Sequence, residues 1–277
     1  MPAHNEAEHL QRCLESFLAQ TRKPDLLVVV DDSSTDRTPE IVREISGQHS
    51  WVRLVHKSSD PGHLPGAKVV QAFQYGLEQL REPYDFIGKF DADIVLPPDY
   101  FERVLRAFGA RPKLGMCAGL LYVEKGGKRI YEPIADRSHV RGPVKLYSLS
   151  CFEAIGGLRP AIGWDTADVL LARYHGFETH TLPELEVVHL RATGQAYSAA
   201  KAQLQGTALY NLRYDTGLLL LSSLKMAWKR RQPLMPFRHL QGYLKARRLG
   251  PPGLLNAEEG RFARQWRRKQ IRNKFVD

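Results

Sequence analysis

The stretch Tyr84-Asp85-Phe86-Ile87-Gly88-Lys89-Phe90-Asp91-Ala92-Asp93 decides the fold. A hydrophobic run that stops abruptly at two carboxylates reads as a buried strand delivering acids to the edge of a sheet. Just beyond it, Pro97-Pro98-Asp99 starts a helix holding Val104, Leu105 and Phe108 at helical spacing. Upstream the same cycle occurs twice more. Leu26 to Val30 is a β-branched run ending in Asp31-Asp32-Ser33-Ser34-Thr35-Asp36, and Thr38-Pro39-Glu40 then opens a helix. Trp51 to His56 is the next strand; a Gly/Pro-rich loop with His63 leads to a helix from about Gly66 carrying Val69, Val70, Phe73 and Leu77. Ahead of both cycles, Leu10, Cys13, Leu14, Phe17 and Leu18 mark a helix that follows the opening Pro2-Ala3-His4-Asn5-Glu6. This alternation predicts an α/β fold, a Rossmann-like and mostly parallel sheet flanked by helices, with ligands at the carboxyl ends of its strands.

After Leu114 the grammar changes. Strands around Leu114 to Val123, a Gly126-Gly127 turn and a shorter, more polar segment to Val144 suggest an antiparallel extension. Helical spacing returns near Phe152 and from Asp165 to Tyr174, and Glu186 to Leu190 reads as a strand leading out through His189. Residues 1–200 are expected to form the α/β domain, and residues 201–277 a helical basic appendage.

With 43% hydrophobic and 25% charged residues in 277, composition argues for an ordinary globular chain. Cys13, Cys117 and Cys151 are far apart and flanked by apolar residues, which suits buried thiols rather than a disulfide framework or zinc knuckle. Without a signal-peptide pattern or an apolar run long enough to span a bilayer, the expected location is cytoplasmic. The net charge of +10 is a property of the tail: residues 225–277 hold 15 Lys+Arg against 3 Asp+Glu, while the remaining 25 basic and 27 acidic residues nearly balance.

Asp91 and Asp93, where a strand emerges, can hold a hard divalent cation and leave its other positions to diphosphate oxygens and water. The same pattern also suits a solvated loop. The Asp31 to Asp36 cluster ends an earlier strand on the same rim; turn and cap chemistry explains it without a ligand, and so does hydrogen bonding to a nucleobase or ribose.

Taken together, Pro2-Ala3-His4-Asn5-Glu6, the Asp31 to Asp36 cluster, Gly66-Ala67-Lys68 entering a helix, and Asp91-Ala92-Asp93 resemble the ordered motifs of family 2 glycosyltransferases with the GT-A fold, over roughly residues 1–190. The resemblance implies a nucleoside-diphosphate sugar donor with Mg²⁺ or Mn²⁺. By the same resemblance, Pro2, Ala3, His4 and Glu6 line the nucleotide pocket, Asp32 lies near the base, and Lys68 lies near the ribose or diphosphate. Asp91 and Asp93 bracket ribose and metal, Asp93 being the closer ligand, and His189 stands where some relatives carry a third. The family also places a catalytic carboxylate on the helix after an Ile-Gly-Gly-Phe-like turn, here Ile155-Gly156-Gly157-Leu158. Trp164-Asp165-Thr166-Ala167-Asp168 resembles its Glu-Asp-x-Asp motif, and the eleven residues from Asp165 to Gly176 fit the distance to a Gly-aromatic pair. Asp165 is therefore the expected general base, with Asp168 as the other candidate, because Trp164 replaces the first acid and Asp168 lies three residues beyond Asp165. Relatives also carry an apolar strand immediately before the opening motif, and here that strand would lie before Met1.

The tail couples apolar helices to Lys/Arg clusters. It suits either an anionic membrane surface, with a lipid-linked or glycan acceptor, or a helix packed on the catalytic domain through Leu219, Leu220, Trp228 and Trp266. Two other classes compete: a catalytically silent nucleotide-sugar binding module, and a nucleic-acid-binding protein. The second lacks the aromatic and basic interleaving of an RNA reader and any zinc spacing, so nucleic acid is not the expected partner.

Overall fold

Apolar residues spaced three and four apart face inward on the first helix, and from there the chain alternates. β1 (Pro2–Ala3) leads through α1 (Ala7–Leu18) to β2 (Leu27–Asp32), α2 (Thr38–Gln48), β3 (Val52–Lys57) and α3 (Ala67–Glu78). The structure, a computed structural model, describes residues 1–59, 66–191, 199–251 and 253–273. The Gly/Pro loop with His63 and the end of the basic segment at Lys274 lie outside the described residues. β1, β2 and β3 form a three-stranded sheet in that order, parallel throughout, with Ala3 opposite Asp31 and Asp32 opposite Lys57. Met1 to Ala3 run alongside β2, where the Met1 amine donates to the Val28 carbonyl and the Val30 amide to the Met1 carbonyl, each at 2.8 Å.

The strand that ends at the two aspartates is β4 (Phe86–Phe90), followed by β5 (Ile94–Val95) and α4 (Tyr100–Ala110). β6 (Leu114–Lys125) and β7 (Lys128–Tyr131) make the hairpin expected around Gly126-Gly127. Then come β8 (Val144–Ser148), α5 (Leu149–Ala154), α6 (Trp164–Tyr174) and β9 (Glu178–His189). The second sheet runs β4-β8-β6-β9-β5, with β7 on β6, and it is mixed. Only β6 and β9 pair in parallel there, so the parallel order belongs to the first sheet and the antiparallel extension is larger than expected. β8 was missing from the sequence reading because Val144-Lys145-Leu146-Tyr147 is buried on both sides, which removes the alternation that marks a half-exposed strand.

Among the described residues after β9 come α7 (Ala199–Asn211), α8 (Thr216–Arg230), α9 (Met235–Leu249) and α10 (Ala257–Asn273). Leu209, Leu218, Leu219 and Ala263 on these helices, and Leu212 and Leu255 in the segments between them, join the same hydrophobic core as the strands. α10 is pinned by Arg159, which makes two bonds to Glu259 at 2.8 and 2.9 Å, and by Arg173 over the Trp266 ring at 4.2 Å. Leu219 and Trp266 thus pack as one of the two tail readings requires. Leu220 and Trp228 do not, being 50% and 85% exposed.

α7 and α9 cross with backbones almost in contact. A β-carbon on Gly242 would sit 1.9 Å from the Gln203 carbonyl oxygen, and one on Gly206 would sit 2.0 Å from that of His239. Gly242→Val should therefore force the helices apart and cost roughly 1–3 kcal/mol or more by overpacking. Thermal unfolding would show this as a lowered midpoint, whereas Gly109→Ala, where nothing lies within 4 Å, should not lower it.

Candidate active site

The opening loop is stitched to the loop after β2. His4 Nδ1 donates to the Asp32 carbonyl at 2.7 Å, the Asn5 amide to Ser34 Oγ at 3.0 Å, and the Glu6 amide to Thr38 Oγ1 at 2.8 Å. Asn5, held at a φ of +53°, also accepts from the Thr35 amide at 2.8 Å. Pro2, Ala3, His4 and Asp32 are thus carried at the carboxyl end of the parallel sheet, where ligands bind in such folds. Asp32 is buried and pairs with Lys57 Nζ at 3.3 Å; its neighbour Asp31 pairs with His56 Nδ1 at 3.0 Å.

Glu6 turns toward the aspartate pair. Burial pushes its carboxyl up to about 7, with Asp93 and Asp91 adding to the rise and Arg191 opposing it through bonds of 2.8 and 3.3 Å. Asp93 shares its surroundings with His189, whose Nε2 lies 3.6 Å from Asp93 Oδ2. His189 Nδ1 lies 3.2 Å from Glu132 Oε2, and Arg141 Nη1 donates to that same oxygen at 2.5 Å. Burial works to lower the His189 pKa, but the nearby Asp93 carboxylate and the hydrogen-bonded Glu132 carboxylate prevail and hold it at about 9. Burial likewise works to raise Asp93, and the adjacent His189 imidazole and the charge of Arg191 keep it below the usual carboxylate range.

Asp91 is engaged by Lys89, buried two residues before it on β4. Lys89 and Lys145 place their ammonium groups 5.1 and 5.3 Å from the centroid of the Trp164 ring, within cation–π reach. Trp164, the residue that departs from the family's acidic pattern, is thus the aromatic wall beside two buried cations. Lys145 also donates to the Asp165 carbonyl at 2.7 Å and so fixes the first turn of α6.

The segment Arg141-Gly142-Pro143 joins the two halves of the site. Arg141 holds Glu132, and the Pro143 carbonyl accepts from the Asp91 amide at 2.9 Å. Gly142 lies so close to α6 that a β-carbon there would be 3.2 Å from both Asp165 Cβ and the Trp164 ring. Asp165 therefore stands next to the backbone that carries Asp91. Among the described residues its carboxylate enters no hydrogen bond or ion pair.

Asp168 does not join this group. It is 2% exposed, and its carboxylate accepts from Lys145 Nζ at 2.8 Å to each oxygen, from the Tyr147 hydroxyl at 2.5 Å and from the Val169 amide at 2.6 Å. Of the two candidate bases, Asp165 is the partly exposed one, and Asp168 is the one committed to buried partners. Lys68 lies partly buried in the first turn of α3, just after Gly66. Gly66 holds a φ of +76° and lets its backbone approach so closely that a β-carbon would lie 2.8 Å from Ile162 Cα. The start of α3 is thereby set against the loop that leads into Trp164 and Asp165.

Among the described residues no three His, Cys, Asp or Glu side chains converge on one point as a ready-made metal cage. The donor set still fits a divalent cation that completes its shell from a ligand and displaces the Nε2 proton of His189: an Asp93 carboxylate beside an imidazole whose far nitrogen is held by a buried carboxylate. Sequence reasoning missed Lys57, Lys89, Glu132, Arg141, Lys145 and Arg191. Lys89 carried a signal, since a lysine two residues before Asp91 on an apolar strand shares its face. Lys145 would have carried the same signal had β8 been recognised. Glu132 and Arg141 sit in polar stretches that offer none.

Comparison with known proteins identifies the family and the fold. The sequence profile described as glycosyl transferase family 2 matches residues 1–157. The chain is 28% identical over 150 residues to the EpsH protein of Bacillus subtilis (strain 168), covering 54% of this chain and 41% of that one. It is 32% identical over 108 residues to the chondroitin synthase of Pasteurella multocida (strain Pm70), covering 39% and 10%. It spans less than half the length of either relative. Among solved structures, the mannosyltransferase PcManGT from Pyrobaculum calidifontis in complex with GDP-Man and Mn²⁺ superposes with a TM-score of 0.59 at 17% identity, covering 88% of this chain and 85% of that one. S. aureus TarS 1-349 in complex with UDP-GlcNAc gives 0.56 at 14% identity, covering 78% and 66%. These likenesses establish the GT-A fold. Because the profile spans more than half of the residues and includes the four ordered motifs, the chain belongs to glycosyl transferase family 2.

Proposed function

We propose that the protein is an inverting, metal-assisted glycosyltransferase that moves a sugar from a nucleoside-diphosphate donor to a glycan or lipid-linked acceptor at the inner face of the cell membrane. The observation that carries this reading is the placement of an open carboxylate, Asp165, across the Arg141-Gly142-Pro143 turn from Asp91 and Asp93. Asp165 takes the proton from the acceptor hydroxyl as that oxygen attacks the anomeric carbon in line with the departing diphosphate, which inverts the centre. Pro2, Ala3, His4, Glu6 and Asp32 form the nucleotide end of the cleft, and Lys68 and Asp91 its ribose and diphosphate side. Asp93, with His189 oriented by Glu132, would hold the Mg²⁺ or Mn²⁺. Bound there, the cation neutralises the leaving diphosphate.

The test is a thermal-shift screen of nucleoside diphosphates with and without each cation. A ligand held only by the folded state at 100 times its Kd stabilises by about 2.7 kcal/mol. The wild type should show a cation-dependent rise with one nucleotide, and Asp93→Ala should lose it while unfolding as cooperatively as before. If no nucleotide and cation pair moves the wild-type midpoint, this reading fails.

A further inference from the structure

Helix α8 carries a row of large apolar side chains that the fold leaves in water. Leu220, Leu224 and Trp228 recur every four residues and Leu221 lies beside them; they are 50%, 57%, 85% and 52% exposed. Single exposed apolar residues are ordinary, but a contiguous row marks an interaction surface. The opposite face of the helix, with Leu218, Leu219, Ser223 and Ala227, is already buried, so α8 is seated in the protein and the row is surplus to its packing. The apolar surface continues around the α8–α9 turn. Leu224, Trp228, Pro233 and Pro236 line an open groove of about 800 Å³, and Leu234 and Phe237 beside it are 64% and 61% exposed.

Charge identifies the occupant. Lys225 and Lys229 follow the row at the same four-residue step and flank it, and Arg231 borders the groove. Across residues 216–257 there are eight Lys and Arg and no Asp or Glu. An apolar ridge edged by cations alone complements an anionic lipid surface, whose headgroups meet the cations while the ridge enters the acyl boundary. No described helix is long and apolar enough to cross a membrane.

The same face adjoins the cleft. Lys229 Nζ donates to the Pro133 carbonyl at 2.5 Å, and Glu132, the preceding residue, backs His189 at 3.2 Å. We infer that the α8–α9 hairpin docks the protein on an anionic bilayer through Leu220, Leu224, Trp228 and Phe237, and thereby presents the catalytic cleft to an acceptor anchored in that bilayer by a lipid. The docking surface stands on its own observations, while the acceptor clause rests on the function proposed above.

Cosedimentation of the full chain with phosphatidylcholine vesicles, with and without phosphatidylglycerol, tests the inference. Each basic side chain near an anionic surface favours binding about fivefold, so phosphatidylglycerol should raise the bound fraction strongly and added salt should reverse much of the gain. The double variant Leu224→Glu, Trp228→Glu should lower partition at least about tenfold. Both positions are exposed and outside the cleft, so its unfolding midpoint and its nucleotide-dependent thermal shift should match the wild type. Failure of the wild type to bind anionic vesicles, or undiminished binding by the double variant, overturns the inference. So does a wild-type dimer in sedimentation velocity that the double variant dissociates, since the row would then be an interface between copies. Vesicle binding without any nucleotide-dependent shift would uphold the docking surface while removing the transfer reading.

Discussion

Asp165→Asn should lower the rate of sugar transfer by about 10²–10⁴-fold, the usual worth of a general base, and leave donor binding intact. The amide preserves the size of the side chain and removes only its capacity to take a proton. Among the described residues that carboxylate enters no hydrogen bond or ion pair, so the cost to stability should be limited to its favourable charge in the first turn of α6, within about 1 kcal/mol. The nucleotide-dependent thermal shift should also persist, because Asp91, Asp93 and the opening loop are unchanged. The loss should therefore fall on kcat with little change in the KM for the donor. Transfer at the wild-type rate would remove Asp165 as the base. Donor binding without transfer in the wild type itself would favour a catalytically silent nucleotide-sugar module.

The parts of this molecule that were legible from sequence share a physical reason. β2, β4 and the helices after them announce themselves because apolar runs end abruptly in Asp, Pro or Gly, and that punctuation marks the rim where ligands bind. Asp91, Asp93 and Asp165 lie at such punctuation. β8 did not announce itself, because a strand buried on both faces has no period to read and its buried polar residues, Lys145 and Tyr147, are core residues satisfied by Asp168. The partnership of Glu132 with His189 joins residues 57 positions apart and depends on how β6, β7 and β9 align, which no local pattern encodes. The tail divided along the same line. Its helical spacing was visible, but which apolar residues face the core was not. Leu219 and Leu220 are consecutive leucines, one buried and one half-exposed, and only the packing of α8 on its neighbours separates them.

The other acid on α6 should behave in the opposite way. Asp168→Ala removes one half of a buried ion pair and leaves the Lys145 ammonium, 0% exposed, without its counter-charge and the Tyr147 hydroxyl without its acceptor. Breaking such a pair costs about 3–5 kcal/mol, because an uncompensated buried charge is far more costly than the pair itself. For a chain of this size that corresponds to a drop of roughly 10 °C in the unfolding midpoint. Activity lost with Asp168→Ala should therefore track the unfolded fraction and recover at low temperature, whereas the loss with Asp165→Asn should not. A second variant separates charge from chemistry. Replacing both partners, Lys145→Met with Asp168→Leu, removes the buried charges together and should regain much of the stability, since apolar pairs of similar volume commonly match a buried ion pair. It should not regain full transfer, because Lys145 also holds the Asp165 carbonyl at 2.7 Å and its ammonium lies 5.3 Å from the centroid of the Trp164 ring. A double variant that is stable yet slow would identify the Lys145–Asp168 pair as the mount for the base, and one both stable and fully active would show that α6 holds Asp165 in place without it.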